Sequence, residues 1–117
     1  MTATIYHNPA CGPSRNALAI LRESGIAPHV VQYLKTPPSR AELEQILQQS
    51  GLTPRQLLRE KEKLVAELGL DAPGTTGAQI LDAMLAHPIL INRPIVITPR
   101  GTKLCRPAEL VRDLLAP

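Results

Sequence analysis

The junction between a predicted strand and a predicted helix lies within the run Tyr6-His7-Asn8-Pro9-Ala10-Cys11-Gly12-Pro13-Ser14-Arg15. The apolar residues around Ile5 predict a first strand over residues 2–6, and helical spacing of apolar residues predicts a helix from Pro13 to Ser24. Pro13 suits the first turn of that helix, where a missing N–H costs nothing. Cys11 therefore lies where the free N–H groups and the positive dipole end of a helix favour a thiolate.

A cytosolic cysteine is more often a buried, inert residue than a reactive one. Here the flanking Pro9, Gly12 and Pro13, together with the junction of strand and helix, favour the reactive interpretation. The helix dipole supplies about 1 kcal/mol toward ionisation, and about 2 kcal/mol in a partly buried site. We expect a cation to supply the rest, either Arg15 one turn along the helix or a protonated His7 at the end of the strand.

The later segments complete an α/β pattern. Residues 29–34 predict a second strand, which makes a right-handed parallel βαβ unit with the first strand and helix. Residues 39–86 predict a helical insertion, in which Ser39 and Thr53 cap successive helices and a further helix begins at Thr76. Short strands follow at residues 89–91, 95–98 and 103–105, and a final helix begins at Pro107.

This order, β-α-β, a helical insertion and then β-β-α, is the plan of a thioredoxin or glutaredoxin core. We expect a small mixed four-stranded sheet with helices on its faces. That plan places the active thiol at the first β-to-α junction and a proline, often cis, at the start of the strand facing it. Pro94 is the candidate for that proline.

Composition limits the function. The 117 residues, with no Phe or Trp, predict one domain over residues 1–117 with an aliphatic core. The net charge of +3 is not gathered into a basic tract and aromatic residues are scarce, which argues against nucleic-acid binding. No apolar run reaches the roughly 20 residues of a membrane span, and no signal peptide is recognisable. We expect a cytoplasmic protein, a monomer, with free thiols and no metal site.

The motifs around Cys11 set what its thiol can do. The residue three positions on is Ser14, so a local dithiol cannot form, and an outside thiol must resolve any adduct. The Cys-x5-Arg loop of phosphatases is absent, because Ala17 stands at the arginine position. For Cys105 a passive role is favoured, and a role as a second sulfur stays open.

Three isolated arginines lie next to segments that we expect to pack near the first β-to-α junction. They are Arg59, Arg93 and Arg106. A lone arginine is usually a solvated charge, but Arg93 interrupts an aliphatic run. Guanidinium groups match tetrahedral oxyanions through paired N–H bonds. The combination of a thiolate and several arginines therefore indicates a small oxyanion as the substrate.

Five motifs resemble the glutaredoxin-dependent arsenate reductase family and occur in its order. They are His-Asn-Pro-Ala-Cys-Gly-x-Ser-Arg-Asn at 7–16, Pro-Pro-Ser-Arg at 37–40, Leu-Leu-Arg at 57–59, His-Pro-Ile-Leu-Ile-Asn-Arg-Pro-Ile-Val at 87–96 and Leu-Cys-Arg-Pro at 104–107. The resemblance covers nearly the whole chain. It implies a thioredoxin-like fold with a helical insertion and no bound cofactor.

The resemblance also implies roles. Cys11 would be the nucleophile, and Arg59, Arg93 and Arg106 would bind arsenate and then the arsenic intermediate. His7 and Arg15 would tune the thiolate, and Ser14 would hydrogen-bond the sulfur or the anion. Cys11 would attack arsenic, glutathione would add to it as co-substrate, and glutaredoxin would complete the reduction and release arsenite.

Two other functions fit the same fold. Relatives that lack arginines of the triad act as redox-sensing regulators that bind RNA polymerase, and a general glutathione-dependent thiol reductase is a third possibility. The three arginines favour arsenate reduction, whereas a local Cys-x-x-Cys would have favoured the regulator. Pro13 departs from the polar residues usual in the family's loop and removes one N–H donor.

Overall fold

The computed structural model describes residues 1–115. The helices are α1 (Gly12–Glu23), α2 (Arg40–Ser50), α3 (Pro54–Leu57), α4 (Lys63–Glu67) and α5 (Gly77–Ala86), and the strands are β1 (Thr4–Tyr6), β2 (His29–Val31), β3 (Ile95–Thr98) and β4 (Gly101–Leu104). Two 3₁₀ helices cover Pro88–Leu90 and Ala108–Leu114. Among the described helices, none has the length and apolar character needed to cross a membrane.

The chain divides into two compact units. The first contains Met1–Thr36 together with the chain from Arg93 onward, and the second contains Pro37–Asn92. The first unit holds all four strands, α1 and the second 3₁₀ helix, while the second unit holds α2 to α5. The helical insertion predicted over residues 39–86 lies within the second unit. That the two units form a single domain stays a prediction, and residues 116–117 of its range lie outside the described chain.

The sheet of the first unit has the order β2-β1-β3-β4. β1 pairs with β2 in parallel, with Ile5 opposite Val30, and with β3 antiparallel, with Ile5 opposite Val96. β3 and β4 form an antiparallel hairpin around the turn at residues 99–100. The predicted α/β class and its mixed four-stranded sheet are confirmed.

The core of the first unit is aliphatic, as the composition requires. α1 buries Leu21 against the sheet residues Ile5 and Val96, and the second 3₁₀ helix packs on α1 through Val111. All four side chains are fully buried. This packing fixes the N-terminal end of α1, where Cys11 lies, relative to the sheet.

α1 begins one residue earlier than predicted, with Cys11 as its N-cap residue and Pro13 in its first turn. It ends at Glu23 with Ser24 as the C-cap residue, and Gly25 follows with φ +82°, a left-handed conformation that glycine adopts without steric cost. β2 is shorter than the predicted 29–34, because the N–H groups of Lys35 and Thr36 both turn back to the carbonyl of Gln32.

In the second unit the predicted caps are present. Ser39, Thr53 and Thr76 each begin a helix with a reciprocal capping box. α3 ends at Leu57, since Leu58 leaves the helix and forms an isolated bridge with Ile91.

The strand predicted at residues 89–91 is wrong. Leu90 and Ile91 donate to the carbonyls of His87 and Pro88, which coils Pro88–Leu90 into a 3₁₀ helix. Three apolar residues in a row do not distinguish a strand from a short buried turn. The final helix is also 3₁₀, since its buried residues Ala108, Val111 and Leu114 recur every three positions.

Candidate active site

Cys11 is a free cysteine at the N-terminus of α1, with only 7% of its surface exposed. Its backbone N–H donates to the carbonyl of Asn8 at 3.0 Å, and its own carbonyl accepts from Arg15 N at 3.0 Å as the first bond of the helix. The loop from Asn8 to Cys11 is therefore a tight turn that leads directly into α1.

Arg106 reaches the sulfur from the other end of the first unit's sequence. Its Nη1 donates to Cys11 Sγ at 3.5 Å and to the carbonyl oxygen of Arg93 at 3.0 Å. The side chain of Arg93 is buried. The Arg93–Pro94 peptide bond is cis, at the proline that the sequence indicates, and Cys105 N donates to the carbonyl of Pro94 at 2.8 Å. The carbonyl groups of Arg93 and Pro94 thus accept hydrogen bonds that hold Cys105 and Arg106 in place.

The pKa of Cys11 is the outcome of opposing effects. Burial is the largest, and it raises the pKa. The backbone N–H of Ser14 lowers it, and hydrogen bonds from Arg106 and Arg93 lower it further. The net result is a pKa below the usual thiol value. Cys11 is thus a partly desolvated thiol that the helix terminus and two guanidinium groups bias toward its nucleophilic form.

His7 is buried beside this loop, and its surroundings lower its pKa. Burial lowers its pKa most, the nearby Arg22 lowers it further, and a hydrogen bond with the backbone of Ser14 raises it less. Its Nδ1 lies 2.6 Å from the hydroxyl of Ser14. A lowered pKa disfavours the charged imidazole, which makes His7 a weaker candidate than an arginine for the cation beside the thiolate, and its tuning role stays a prediction.

The hydroxyl of Ser14 is fully buried, and its hydrogen bonds are to groups other than the sulfur. Besides its bond with His7, it accepts from the backbone N–H of Asn8 at 3.0 Å. The expected hydrogen bond from this side chain to the sulfur is therefore replaced by one that ties α1 to the loop. What Ser14 directs at Cys11 is its backbone N–H.

Arg15 is exposed and acts on the loop instead of the thiol. Its Nη1 donates to the carbonyl of Pro9 at 3.0 Å, and its charge contributes to the lowered pKa of His7 but not to that of Cys11. The role of thiolate tuning expected for Arg15 is corrected accordingly, because its guanidinium bends back over residues that precede Cys11.

Asn8 organises the turn, and the sequence analysis did not single it out. It is buried, its side-chain Oδ1 accepts from Ala10 N at 3.0 Å, and its backbone bonds both Ser14 Oγ and Cys11 N. An asparagine that bonds the backbone two residues on is a known initiator of turns. The Asn-Pro-Ala run directly before the cysteine is the signal that could have revealed it.

Arg59 belongs to the second unit. Its Nε donates to Glu62 at 3.1 Å and its backbone N–H donates to Leu90 at 2.8 Å. It lines a cleft of about 470 Å³, the Arg55–Lys61 cleft, whose walls also include Arg55, Gln56, Glu60, Lys61 and Asn92. The first unit thus brings Cys11, Arg93 and Arg106 together, and the convergence of Arg59 with them stays a prediction.

Cys105 is chemically unlike Cys11. It is fully buried in the core of the first unit, and burial raises its pKa to about 12. Its thiol makes a weak hydrogen bond to the carbonyl of Lys103 at 3.7 Å. At neutral pH it is a protonated, packed thiol, which suits the passive role. Over residues 1–115, no group of three or more metal-ligating side chains is present.

The chain is similar to known proteins over almost its full length. A family model described as "ArsC family" matches residues 6–114. An arsenate reductase of Rhizobium meliloti is 63% identical over 115 residues, which are 98% of this chain and 82% of that protein. One from Escherichia coli is 57% identical over 112 residues, 96% of this chain and 79% of that protein. The solved structure of an arsenate reductase from Vibrio cholerae matches with a TM-score of 0.94 at 44% identity and 98% coverage of both chains.

Proposed function

This chain belongs to the ArsC family, and on that premise we propose that it reduces arsenate to arsenite with Cys11 as the nucleophile. One observation carries the proposal: Arg106 donates a hydrogen bond to the sulfur of Cys11, whose pKa is lowered although the thiol is buried. A thiolate beside fixed guanidinium groups attracts a dianion that an isolated thiolate would repel. The arsenate reductases that this chain resembles support the choice of oxyanion.

The first step is a substitution at arsenic. The thiolate of Cys11 attacks As(V), a sulfur–arsenic bond forms, and one arsenate oxygen takes up protons and leaves as water. Arg93 and Arg106 hold the remaining oxygens, and Arg59 joins them in the proposed complex. Their N–H groups stabilise the negative charge that builds on the oxygens during the attack.

The reduction needs two electrons, which two external thiols supply. The glutathione sulfur bonds to the arsenic of the Cys11 adduct, and a second oxygen leaves as water. The glutaredoxin thiolate then attacks the glutathione sulfur, so that a glutathione–glutaredoxin disulfide forms and the electron pair of the broken arsenic–sulfur bond reduces As(V) to As(III). Water replaces the Cys11 sulfur on arsenic, arsenite leaves, and Cys11 returns as a thiolate. An external reductant is required because Ser14 stands where a Cys-x-x-Cys motif has its second cysteine and because Cys105 is buried and protonated.

Selectivity against phosphate follows from the same chemistry. Phosphate has a similar charge and shape, so guanidinium groups cannot reject it strongly. A phosphorus–thiol adduct is not reduced by thiols, however, and only the arsenic adduct proceeds.

The test is a coupled assay with purified protein, arsenate, glutathione and glutaredoxin, in which arsenite is quantified by arsenic speciation. Cys11→Ser is expected to abolish arsenite formation, while Cys105→Ser retains most of it. Arg93→Ala is expected to lower the rate far more than Arg100→Ala, because Arg100 lies in the exposed turn between β3 and β4.

Equal losses in Cys11→Ser and Cys105→Ser would point to an internal disulfide and contradict the proposed pathway. Absence of arsenite from the wild-type reaction, with glutathione–disulfide exchange or binding to RNA polymerase in its place, would support the thiol reductase or the redox regulator instead.

A further inference from the structure

A groove lies along one face of α1, beside the loop that leads to Cys11. Its volume of about 500 Å³ falls in the usual range for small-molecule sites, roughly 300–1,000 Å³. The walls of this α1 groove include Pro9, Arg15, Leu18, Arg22 and Glu23. The walls and Cys11 all belong to the first compact unit. A molecule bound here therefore lies beside Cys11 without any contribution from the second unit.

The proposed reaction requires an external thiol, because Ser14 excludes a local dithiol and Cys105 is buried. We propose that the α1 groove binds a small thiol that carries carboxylates and an amino group, such as glutathione, and presents its sulfur to the arsenic held by Cys11. The inference rests on the proposed function, because addition of an external thiol is a step of that reaction.

The charges of the groove are complementary to those of glutathione. Arg15 and Arg22 supply two guanidinium groups, and Glu23 supplies one carboxylate. At neutral pH glutathione has a carboxylate at each end and an ammonium group at one of them. Arg22 and Glu23 are neighbours in the exposed last turn of α1, which suits an end that carries both a carboxylate and an ammonium group. The second carboxylate is then left for Arg15.

Both arginines are available to a ligand. They are exposed, and over residues 1–115 neither side chain forms an ion pair. Nη1 of Arg15 donates to the carbonyl of Pro9 at 3.0 Å, and its remaining N–H donors can bind a carboxylate. The side chain of Arg22 has no hydrogen-bond partner within the described chain, and its charge acts on the nearby His7. A ligand carboxylate therefore displaces no protein carboxylate from either group.

The groove is apolar between the two arginines. Leu18 and Ala19 follow Arg15 by three and four residues and precede Arg22 by four and three, so they lie on the same face of α1. Pro9 adds an apolar surface from the loop. These side chains suit the methylene groups of a γ-glutamyl chain, whereas a second oxyanion would gain nothing from them.

The groove leads toward Cys11. Cys11, Arg15 and Arg22 are separated by four and seven residues, so they lie along one side of the helix. With a rise of about 1.5 Å per residue, their Cα atoms are about 6 and 10 Å apart along the axis. Helical side chains lean toward the N-terminus and cover the preceding turn, so both guanidinium groups lie about 5 Å nearer to Cys11 than their Cα atoms do.

This spacing fits the length of the ligand. An extended tripeptide spans about 10 Å, which equals the separation of Arg15 and Arg22 along the axis. A tripeptide that bridges the two guanidinium groups places its central residue about 6 Å along the axis from Cys11. A cysteine side chain on that residue and an arsenic atom on Sγ of Cys11 together cover this distance.

The first test measures binding apart from catalysis, by amide NMR titration with S-methylglutathione, which cannot react. We expect saturable shifts of the amide signals of Ala19, Arg22 and Glu23, and none for residues of the Arg55–Lys61 cleft. An absence of saturable shifts would overturn the assignment, and so would shifts that map to the Arg55–Lys61 cleft in place of the α1 groove.

The variants Arg22→Gln and Ala19→Glu are compared with Arg100→Gln. The dissociation constant of S-methylglutathione should rise about 3-fold in Arg22→Gln, the effect of one exposed ion pair. Ala19→Glu places a carboxylate in the apolar part of the groove and should raise it at least as much. Arg100→Gln removes an exposed arginine of the same unit that lies outside the walls, so the constant should not change. Equal effects of Arg22→Gln and Arg100→Gln would contradict a local contact.

The groups of the ligand are tested one at a time. The diethyl ester of S-methylglutathione has no carboxylates, so it should bind more weakly than the parent compound, and Arg22→Gln should not weaken it further. Glu23→Gln should weaken S-methylglutathione but not its N-acetyl derivative, which has no ammonium group. If each substitution weakens parent and derivative equally, the proposed contacts are wrong.

The coupled assay separates the groove from the reaction. KM for glutathione should rise in Arg22→Gln and Ala19→Glu by the factors seen in binding, while KM for arsenate stays within about 2-fold. If the wild type reduces arsenate but neither variant changes KM for glutathione, the groove assignment fails and the proposed function stands. If KM for glutaredoxin rises in its place, the groove contacts that protein and the assignment to a small thiol is overturned.

Failure of the proposed function gives a different result. If the wild type forms no arsenite but S-methylglutathione binds in the groove and the two variants weaken it, the proposed function fails and the binding site stands. Arg22 and Ala19 are both exposed, and thermal unfolding checks that their substitution leaves the fold intact.

Discussion

Replacing Arg106 by alanine should make the thiol of Cys11 harder to ionise and its thiolate more reactive. Arg106 Nη1 lies 3.5 Å from Sγ, and a hydrogen bond to a charged group contributes about 1.5–3 kcal/mol. Its loss lowers the ratio of thiolate to thiol about 10- to 150-fold at a given pH, since about 1.4 kcal/mol is a factor of ten.

The rate of alkylation changes less than the ionisation does. A thiolate from a weaker acid is more nucleophilic, with a Brønsted coefficient of about 0.4–0.5, so roughly the square root of the effect survives. In Arg106→Ala we expect alkylation of Cys11 at low pH to be about 3- to 12-fold slower than in the wild type. At pH values where both thiols are ionised it should be faster by a similar factor, so the two pH profiles cross.

The assay is alkylation by iodoacetamide from pH 5 to 10, followed by mass spectrometry of the peptide that contains Cys11. Arg100→Ala is the matched control, because it removes an exposed arginine from the turn at residues 99–100. Thermal unfolding checks that loss of the bond from Arg106 to the Arg93 carbonyl leaves the fold intact. Superimposable profiles for Arg106→Ala and the wild type would refute the electrostatic role of Arg106.

Three further outcomes follow from the structure. Asn8→Ala should lower the free energy of unfolding by about 1 kcal/mol, because the hydrogen bond from Ala10 N to the Asn8 side chain is lost. Asn8→Asp keeps that acceptor. It should slow alkylation of Cys11 at low pH, because a negative charge near the sulfur opposes its ionisation. The pKa of the Cys105 thiol is near 9 in the unfolded chain and about 12 in the folded protein. Its contribution to stability is therefore complete below pH 9 and declines above it. In urea titrations, the free energy of unfolding of the wild type should fall by about 2 kcal/mol more than that of Cys105→Ala between pH 7 and 10.5. His7 should titrate below 6.5 in an NMR experiment, and Arg22→Gln should raise that midpoint.

The local features of the site could be read from the sequence because they depend on neighbouring residues. The position of Cys11 before α1 follows from a strand pattern, a proline in the first turn and helical spacing within about twenty residues. The three capping boxes of the second unit follow in the same way, since each joins residues three positions apart. Such short-range signals do not depend on how distant segments pack.

The errors concern orientation and distant contacts. His7 and Arg15 are close to Cys11 in sequence, which suggested that their charges act on the sulfur. In the structure, burial lowers the pKa of His7, and the guanidinium of Arg15 bends back to the carbonyl of Pro9. Conversely, the contact between Arg106 and Cys11 joins residues 95 positions apart, and only the sheet pairing and the bond to the Arg93 carbonyl create it.

The pKa of Cys11 reflects a balance of opposing effects. Burial opposes ionisation more strongly than any one hydrogen bond favours it, and the Ser14 N–H, Arg106 and Arg93 together lower the net pKa. In the proposed reaction an oxyanion competes with the sulfur for the same Arg106 N–H. As that N–H turns to the oxyanion, the thiolate loses stabilisation and becomes a stronger nucleophile at the moment when the arsenic is within reach. The hydrogen bond that favours ionisation of Cys11 before binding is therefore also the one whose transfer to substrate favours attack.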